Sequence, residues 1–193
     1  MSAKRYPRQE RRLQMLETAA AIVCSEGTDA LTLARVASAA GVSKPIAYGH
    51  FETRAGLLAA LYEHLDYRWE KATWIAIERD ARNLEDAATI IAAGYVDCVL
   101  QAGKVFGAIA AALAGTEAMD EFHHCKTVKY AELCRQALVR YSPLPESESR
   151  ALMLGLIGAA DTLSEAAAAD RMARKDAIEA LTRIVVGAVR QQG

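Results

Sequence analysis

The sequence predicts an all-α protein, and three of its features support that fold class. Alanine, the residue with the highest helix propensity, supplies 40 of the 193 residues. Proline occurs only at positions 7, 45, 143 and 145, so none interrupts residues 46–142. No run of alternating apolar and polar residues is flanked by turn pairs, and β-branched residues are sparse. A helical chain of this length can form one domain with an appendage or two unequal domains.

The first three helices are predicted from apolar spacing and from the residues that end and begin helices. A first helix is expected over residues 7–26, ending at Gly27, and a second over residues 33–40, capped by Thr32. Gly41 can take the left-handed conformation of a tight turn, Ser43 can cap a third helix, and Pro45 fits its first turn. The residues expected to face inward in the first two helices are Leu13, Leu16, Ala20, Val23, Leu33, Val36, Ala37 and Ala40. Two short helices joined by a tight turn predict a helix-turn-helix.

The remainder of the chain is predicted to be helical as well. A longer helix is expected from residue 54 to about residue 81, with Leu57, Leu58, Leu61 and Leu65 facing inward. Further helices are expected at residues 84–102, 105–115, 117–141, 147–169 and 174–191.

Charge and hydropathy indicate where the chain acts. Residues 1–54 hold eight Lys and Arg against five Asp and Glu, a net charge of +3, whereas residues 55–193 hold fifteen against nineteen. The N-terminal quarter should therefore attract a polyanion. The longest uncharged run, residues 105–116, is shorter than the ~18 residues of a membrane helix, and no signal-peptide layout is present at the N-terminus. We expect a cytoplasmic protein without membrane contact, with its four cysteines reduced.

The segment LTLARVASAAGVSKPIAYGHFETRAGLLAALY, residues 31–62, resembles the DNA-binding domain of the TetR family of bacterial transcriptional regulators. The residues that carry the resemblance are Thr32, Gly41-Val42-Ser43-Lys44, Tyr48-x-His50-Phe51, Arg54 and Gly56-Leu57-Leu58. The resemblance implies a homodimer whose helix-turn-helix domain, here residues 1–53, places its third helix in a major groove of double-stranded DNA. It further implies that residues 54–193 bind a small-molecule effector and dimerise. Most proteins of this family are repressors, so we expect repression from a palindromic operator.

The third helix is predicted to present one side to DNA. Successive residues step ~100° around a helix, which turns Ala47 and Phe51 inward and leaves the opposite side for the groove. On that side Lys44 could bond to a guanine edge or a phosphate, and Ile46 could contact a thymine methyl. The position after Tyr48 often holds a larger polar residue in the family, whereas Gly49 offers only close backbone approach.

Phosphate contacts are expected mainly at the starts of the second and fourth helices, where free N–H groups attract anions. The basic stretch from Lys4 to Arg12 also suits phosphates or an adjacent minor groove. The predicted DNA-binding residues are Thr32, Arg35, Ser43, Lys44, Pro45, Ile46, Tyr48, Gly49, His50 and Arg54.

The C-terminal part is predicted to hold an effector pocket and a dimer interface. Small residues at positions 151, 155, 158, 159 and 162 would allow close helix approach, and residues 177–190 are apolar over most of their circumference. An ordinary monomer core is the alternative. The pocket candidates are mostly apolar residues with a few polar atoms, as in small-molecule sites: Trp69, Trp74, Tyr95, Cys98, Phe106, Phe122, His123, Tyr130, Cys134, Met153 and Asp161.

The residues suggest three other functions, each with weaker support. A metal- or thiol-responsive regulator could use His123-His124-Cys125 with other cysteines, but adjacent helical residues point ~100° apart, so no metal site is predicted. An enzyme is disfavoured because Asp161 and Glu165 are the only suggestive pair and no phosphate loop or catalytic signature occurs; no cofactor is predicted. A helical adaptor without DNA function is disfavoured by the basic N-terminal quarter.

Overall fold

The computed structural model describes residues 8–113 and 117–191, with the side chains of residues 8–113, 127–145 and 149–191. These residues form α1 (Arg8–Glu26), α2 (Leu33–Ala39), α3 (Lys44–Phe51), α4 (Arg54–Asp80), α5 (Leu84–Leu113), α6 (Glu117–Leu138), α7 (Glu146–Ala168) and α8 (Arg174–Arg190). The described ranges contain no strand. The predicted all-α class is confirmed.

The predicted break near residue 103 is wrong, because α5 runs without interruption from Leu84 to Leu113. Gly103 lies inside this helix and does not take the positive φ that ends α1 at Gly27. A glycine inside a helix costs only about 1 kcal/mol relative to alanine, so the surrounding alanines and aliphatic residues keep the helix intact. The other helix ends lie within three residues of the predicted ones.

The described residues divide into two compact units. The first contains residues 8–67 and 104–113, and the second contains residues 68–103 and 117–191. The predicted division of roles at residue 53 stays a prediction.

The core of the first unit forms around α1, α2, α3 and the first half of α4. Leu33, Val36 and Ala37 of α2 are buried as predicted, and Leu57, Leu58 and Leu61 of α4 have no exposed surface. Ala40, at the end of α2, and Leu65 are half-buried. The inward face predicted for α1 is partly wrong, because Leu13 is 45% exposed and Ala20 is only half-buried. Its buried face is instead Met15, Leu16, Ala19, Ile22 and Val23.

The turn between α2 and α3 forms as predicted. Gly41 has a φ of 66°, in the left-handed region where a residue with a Cβ is strained. The N–H of Val42 donates to the carbonyl of Ala37 at 2.9 Å, and the side-chain amide of Gln14 on α1 donates to the carbonyl of Ala40 at 3.1 Å. The turn is therefore fixed both by its own backbone and by α1.

The junction between α3 and α4 requires a glycine inside α4. A Cβ on Gly56 would lie 2.3 Å from the carbonyl oxygen of Phe51, the last residue of α3. The N–H of Gly56 also donates to Thr53 Oγ1 at 3.0 Å, so Thr53 caps α4. The close approach at Gly56 holds the start of α4 against the end of α3.

The second unit buries one apolar core among α4, α5, α6, α7 and α8. Its largest fully buried side chains include Ile77, Leu138, Met153 and Leu181. By length and hydropathy alone, Leu84–Leu113 and Ser149–Ala168 could cross a membrane, a test that core helices of water-soluble proteins also pass.

We predict that Gly56→Ala lowers the free energy of unfolding by about 1–3 kcal/mol, because its methyl group would collide with backbone that cannot move freely. Urea denaturation of the full chain measures this change. Gly49→Ala in α3 is the matched control, since its added Cβ meets nothing within 4 Å. The control should gain up to about 1 kcal/mol from helix propensity. Equal effects of the two substitutions would contradict the close approach at Gly56.

Candidate nucleic-acid interface

The solvent-facing side of α3 is mostly apolar. Lys44, Pro45, Ile46, Tyr48 and Gly49 are all exposed, and we call these five residues the outer surface of α3. The opposite side carries Ala47 and Phe51, which are 0% and 4% exposed. The inward and outward assignment made from helix geometry is confirmed. Within the outer surface, the Lys44 ammonium and the Tyr48 hydroxyl are the only side-chain groups able to form hydrogen bonds.

The starts of α2 and α3 are built differently. Thr32 Oγ1 accepts the backbone N–H of Arg35 at 3.1 Å, so the predicted cap of α2 is confirmed. Ser43 occupies the N-cap position of α3, but its hydroxyl makes no capping hydrogen bond, which corrects the prediction. A capping hydroxyl accepts from the second or third helical N–H. At the start of α3 the second residue is Pro45, which has no N–H, and the N–H of Ile46 donates to the Ser43 carbonyl at 3.0 Å.

The two arginines predicted to bind phosphate have protein partners. Arg35 pairs with Glu26 at 2.9 Å, and both side chains are more than 40% exposed. Such surface pairs contribute only about 0–1 kcal/mol, so a phosphate could replace Glu26 at low cost. Arg54 donates from Nε to the carbonyl of Leu31 at 2.9 Å and from Nη2 to that of Thr28 at 2.7 Å. Arg54 thus ties the start of α4 to the loop between α1 and α2, a structural role that its sequence position did not reveal.

The end of α3 is held by α1. Arg12 Nη1 donates to the carbonyl of His50 at 2.9 Å, and the Arg12 guanidinium carbon lies 4.8 Å from the centroid of the Phe51 ring. Glu52 follows with a φ of 59°, and the N–H of Thr53 donates to the Phe51 carbonyl at 2.6 Å. Arg12 lies in the basic stretch that was expected to contact DNA, and no local sequence pattern signals its contact with a residue 38 positions away.

His50 lies in a positive environment at the edge of this surface. Partial burial is the main cause that lowers the pKa of His50 below its ordinary value of 6.5, and the charges of Arg8, Arg12 and Arg11 lower it further. The imidazole is therefore neutral at neutral pH. A neutral ring still offers one N–H, which agrees with the expected role as a hydrogen-bond donor.

Four of the predicted effector residues line one small cavity in the second unit. Tyr95, Tyr130, Cys134 and Met153 surround a volume of about 30 Å³ together with aliphatic side chains of α5, α6, α7 and α8. Asp161 joins this group because the Tyr95 hydroxyl donates to its Oδ1 at 2.6 Å. The rings of Tyr95 and Tyr130 are 5.5 Å apart, and Tyr130 shares a side-chain hydrogen bond with Cys134. The cavity is therefore apolar, with two phenols at its wall.

The other predicted effector residues lie elsewhere. Phe106 belongs to the first unit, where its ring lies 4.7 Å from that of Tyr62. Trp74 packs beside the core of the second unit with the Arg140 guanidinium 5.0 Å from its ring centroid. Trp69 and Cys98 are half-buried and are not part of the cavity lining. The side chains of Phe122 and His123 lie outside the described residues.

Thiol or metal chemistry finds little support in the described part of the chain. Burial raises the pKa of Cys134 to about 12, so this thiol stays protonated and unreactive at neutral pH. The described residues include no group of three or more metal-binding side chains. The His123-His124-Cys125 motif lies outside the described side chains.

Comparison with known proteins identifies the N-terminal domain. A family model described as bacterial regulatory proteins of the tetR family matches residues 15–61, which contain α2, α3, the turn between them and most of α1. This N-terminal domain is of the TetR type. The resemblance seen in residues 31–62 is thereby confirmed. The regulators that share this domain are non-enzymatic DNA-binding proteins, in agreement with the prediction made from the sequence.

Similar proteins agree with this assignment. The HTH-type transcriptional activator FasR of Mycolicibacterium smegmatis is 43% identical over 63 residues, which are 32% of this chain and 29% of that relative. A TetR-family transcriptional regulator from Rhodococcus sp. has a TM-score of 0.70 and 21% identity, covering 93% of this chain and 99% of that one. A transcriptional regulator from Pseudomonas aeruginosa PAO1 gives 0.72 and 16%, covering 95% and 92%. These two structures share the helical fold of this chain over more than nine-tenths of its length, including the C-terminal part.

We predict that protonation of His50 destabilises the fold. Because the folded pKa is lowered, the unfolded chain binds more protons once the pH falls through about 6.5, and the free energy of unfolding falls with it. His50→Gln should remove this part of the pH dependence, as measured by urea denaturation between pH 5 and 8 with the wild-type chain alongside. An NMR titration that placed the His50 pKa above 6.5 would contradict the predicted direction.

Proposed function

We propose that this protein is a TetR-family regulator, that it binds a palindromic DNA operator through the outer surface of α3, and that a small-molecule effector releases it. The observation that carries the proposal is the arrangement of α3 itself. One side is anchored in the core of the first unit and the other presents five adjacent residues to solvent. A helix that is buried on one side and fully accessible on the other can dock in a major groove.

The chemistry of this surface suggests how DNA would be bound. Lys44 and Tyr48 supply one charge and one hydroxyl. Ile46, which is 38% exposed, supplies an apolar surface for a thymine methyl group. Bidentate base contacts of the arginine or asparagine type are missing from the outer surface of α3. Sequence preference would therefore depend on thymine methyl contacts, on DNA shape and on close backbone approach at Gly49.

Phosphate contacts would complete the interface around α3. Thr32, Ser43 and Arg35 are exposed at the starts of α2 and α3, and the Ser43 hydroxyl is not used as a cap. His50 and Arg54 are half-buried, and Arg54 would contact phosphate only while keeping its hydrogen bonds to the loop between α1 and α2. These groups would position the domain without reading sequence.

We further propose that regulation is by repression, the commoner sign in the family. FasR is a transcriptional activator, so a similar DNA-binding segment also occurs in a protein that increases transcription. The DNA-contacting surface is compatible with either, because the sign depends on where the operator lies relative to the promoter. Cytoplasmic location follows from the proposed contact with the bacterial chromosome.

DNA binding is predicted to depend on two side chains of the outer surface. Lys44→Ala combined with Tyr48→Phe should weaken binding to a duplex selected from a random pool by roughly 10- to 100-fold, because a charged contact and a hydroxyl contact are both lost. A gel-shift titration at fixed salt measures the change. Both side chains are exposed, so the melting temperature should stay within a few degrees of the wild type. Unchanged affinity would exclude α3 as the recognition helix, and absence of any salt-sensitive duplex binding by the wild type would favour the adaptor alternative.

We propose that α7 and α8 form the homodimer interface. Ala151, Gly155, Gly158 and Thr162 of α7 are exposed, and a Cβ added to either glycine would meet nothing within 4 Å. Ile184 of α8 is 43% exposed although the helix buries Leu181 and Val185 beside it. Exposed small side chains on α7 and an exposed aliphatic residue on the contacting helix α8 suit close packing against a second copy. Two helix-turn-helix domains could then meet successive major grooves about 35 Å apart.

The dimer should appear as twice the chain mass in light scattering at micromolar concentration. Gly158→Arg, which places a long charged side chain in the proposed interface, should shift the chain to monomer. Asp170→Arg is a suitable control because residue 170 is exposed in the turn after α7. A monomeric wild type would rule out this dimer.

We propose that the effector occupies the cavity between Tyr95 and Met153. Its present volume of about 30 Å³ holds little more than one water molecule, so an effector must enlarge it. Met153 also lines an open groove of about 310 Å³ between α6 and α7, which Arg135 and Arg150 border. A flexible methionine between groove and cavity could move aside to admit a ligand. The walls suit a mostly apolar molecule with one group that bonds to a phenol.

Filling the cavity is predicted to abolish the response to effector. A compound screen for release of the selected duplex would first identify an active molecule. Met153→Trp should then still bind DNA but respond at least ~10-fold less to that molecule, because the larger ring occupies the space. Val139→Trp, which changes an exposed aliphatic residue outside the cavity lining, serves as the control. A full response by Met153→Trp would place the effector elsewhere.

A further inference from the structure

Arg12 lies at the point where α1 meets the end of α3. Its guanidinium makes two different contacts there, a hydrogen bond of 2.9 Å to the carbonyl of His50 and a stacked position 4.8 Å from the centroid of the Phe51 ring. Phe51 is 4% exposed and belongs to the buried side of α3. Arg12 is itself half-buried, whereas its neighbour Arg8 is exposed.

The contact to His50 satisfies a carbonyl that the helix cannot satisfy itself. The last four carbonyls of a helix accept no hydrogen bond from an N–H group of the same helix. In α3 the Tyr48 carbonyl accepts the N–H of Glu52 at 2.8 Å, and the Phe51 carbonyl accepts the N–H of Thr53 at 2.6 Å. The His50 carbonyl accepts from Arg12, which also brings a positive charge to the negative end of the helix dipole.

Each contact fixes a different freedom of α3. The hydrogen bond limits translation along the axis of α3, because it is directional and joins the last turn to α1. The stacked guanidinium limits rotation about that axis, because turning α3 would move the Phe51 ring away from Arg12. A lysine could keep the charge, but it lacks the planar group that donates and stacks at the same time.

We propose that Arg12 is a positioning residue that determines DNA specificity by fixing the seating of α3. The proposal rests on the proposed DNA-binding function. Since the outer surface of α3 has few hydrogen-bonding groups, discrimination between sequences depends on how accurately that surface fits the groove. A small shift of α3 would weaken binding to the preferred sequence and would leave contacts to phosphate on any sequence largely intact.

The test compares Arg12→Lys with Arg82→Lys in the 193-residue chain, since Arg82 lies in the second unit and is 86% exposed in a surface ion pair with Asp86. Affinities for the duplex selected by the wild type and for a scrambled duplex are measured across a salt series. Arg12→Lys should lose roughly 10-fold in affinity for the selected duplex, with little change for the scrambled one and an unchanged salt slope. Arg82→Lys should change neither affinity. Hydrogen exchange of the α3 amides should be faster in Arg12→Lys alone.

Two results would overturn the proposal. The first is an Arg12→Lys variant with the same DNA specificity and the same hydrogen exchange of the α3 amides as the wild type. The second is an equal loss of affinity for both duplexes, which would identify Arg12 as a phosphate contact. If Arg12→Lys does not fold, NMR signals of the wild-type guanidinium decide instead. Hindered rotation of Arg12 already present without DNA supports the proposal, and hindrance that arises only on binding DNA refutes it. If the wild type binds no duplex at all, the proposed DNA-binding function is wrong, and the inference about Arg12 is wrong with it.

Discussion

The fixation of α3 through its buried side is the constraint on which the rest of the interface depends. Ala47 and Phe51 have almost no exposed surface, and α3 is only eight residues long. A helix of two turns is not stable in water by itself, so its conformation and direction come from packing. The outer surface of α3 can act as a docking surface only because the inner side leaves the helix little freedom.

Several weak interactions share this task, and each joins α3, its turn or a helix that supports it to another part of the first unit. Gln14 of α1 holds the turn before α3, and Gly56 permits α4 to approach the end of α3. Arg54 ties the start of α4 to the loop after α1. Hydrogen bonds of this kind contribute about 0.5–1.5 kcal/mol each, and together they connect the three helices into one support. The strained backbone at Glu52 is tolerated because its neighbours are held on both sides.

The second unit shows a different balance between packing and polarity. Its core is mostly aliphatic, and yet Tyr95, Tyr130 and Cys134 bring polar atoms to the wall of one cavity. Burial raises the pKa of both tyrosines, and the hydrogen bond from Tyr95 to Asp161 raises that of Tyr95 further. The phenols therefore remain neutral donors at any physiological pH. Neutral donors within an apolar wall favour uncharged or weakly polar ligands over ions.

The sequence by itself determined the helical class, the helix-turn-helix and the TetR type of the N-terminal domain, because these depend on local rules. Apolar spacing, Gly41 in the turn, Thr32 as a cap and Pro45 in a first turn act over a few residues, and the 100° step separated Ala47 and Phe51 from the outer surface of α3. Two predictions were wrong because another local effect outweighed the rule on which they were based. Gly103 did not end a helix because its propensity cost is small, and Ser43 did not cap because Pro45 and Ile46 left it no donor.

Only the tertiary structure decided which distant residues meet. Arg12 and Arg54 look like ordinary basic residues in the sequence, and their roles depend on carbonyls that lie 38 and 23 residues away. Likewise, Tyr95, Tyr130, Cys134 and Met153 come from three helices, and only packing separates them from Phe106 and Trp74. Short-range periodicity carries no information about the partner of a long side chain, because that partner is set by how helices pack in three dimensions.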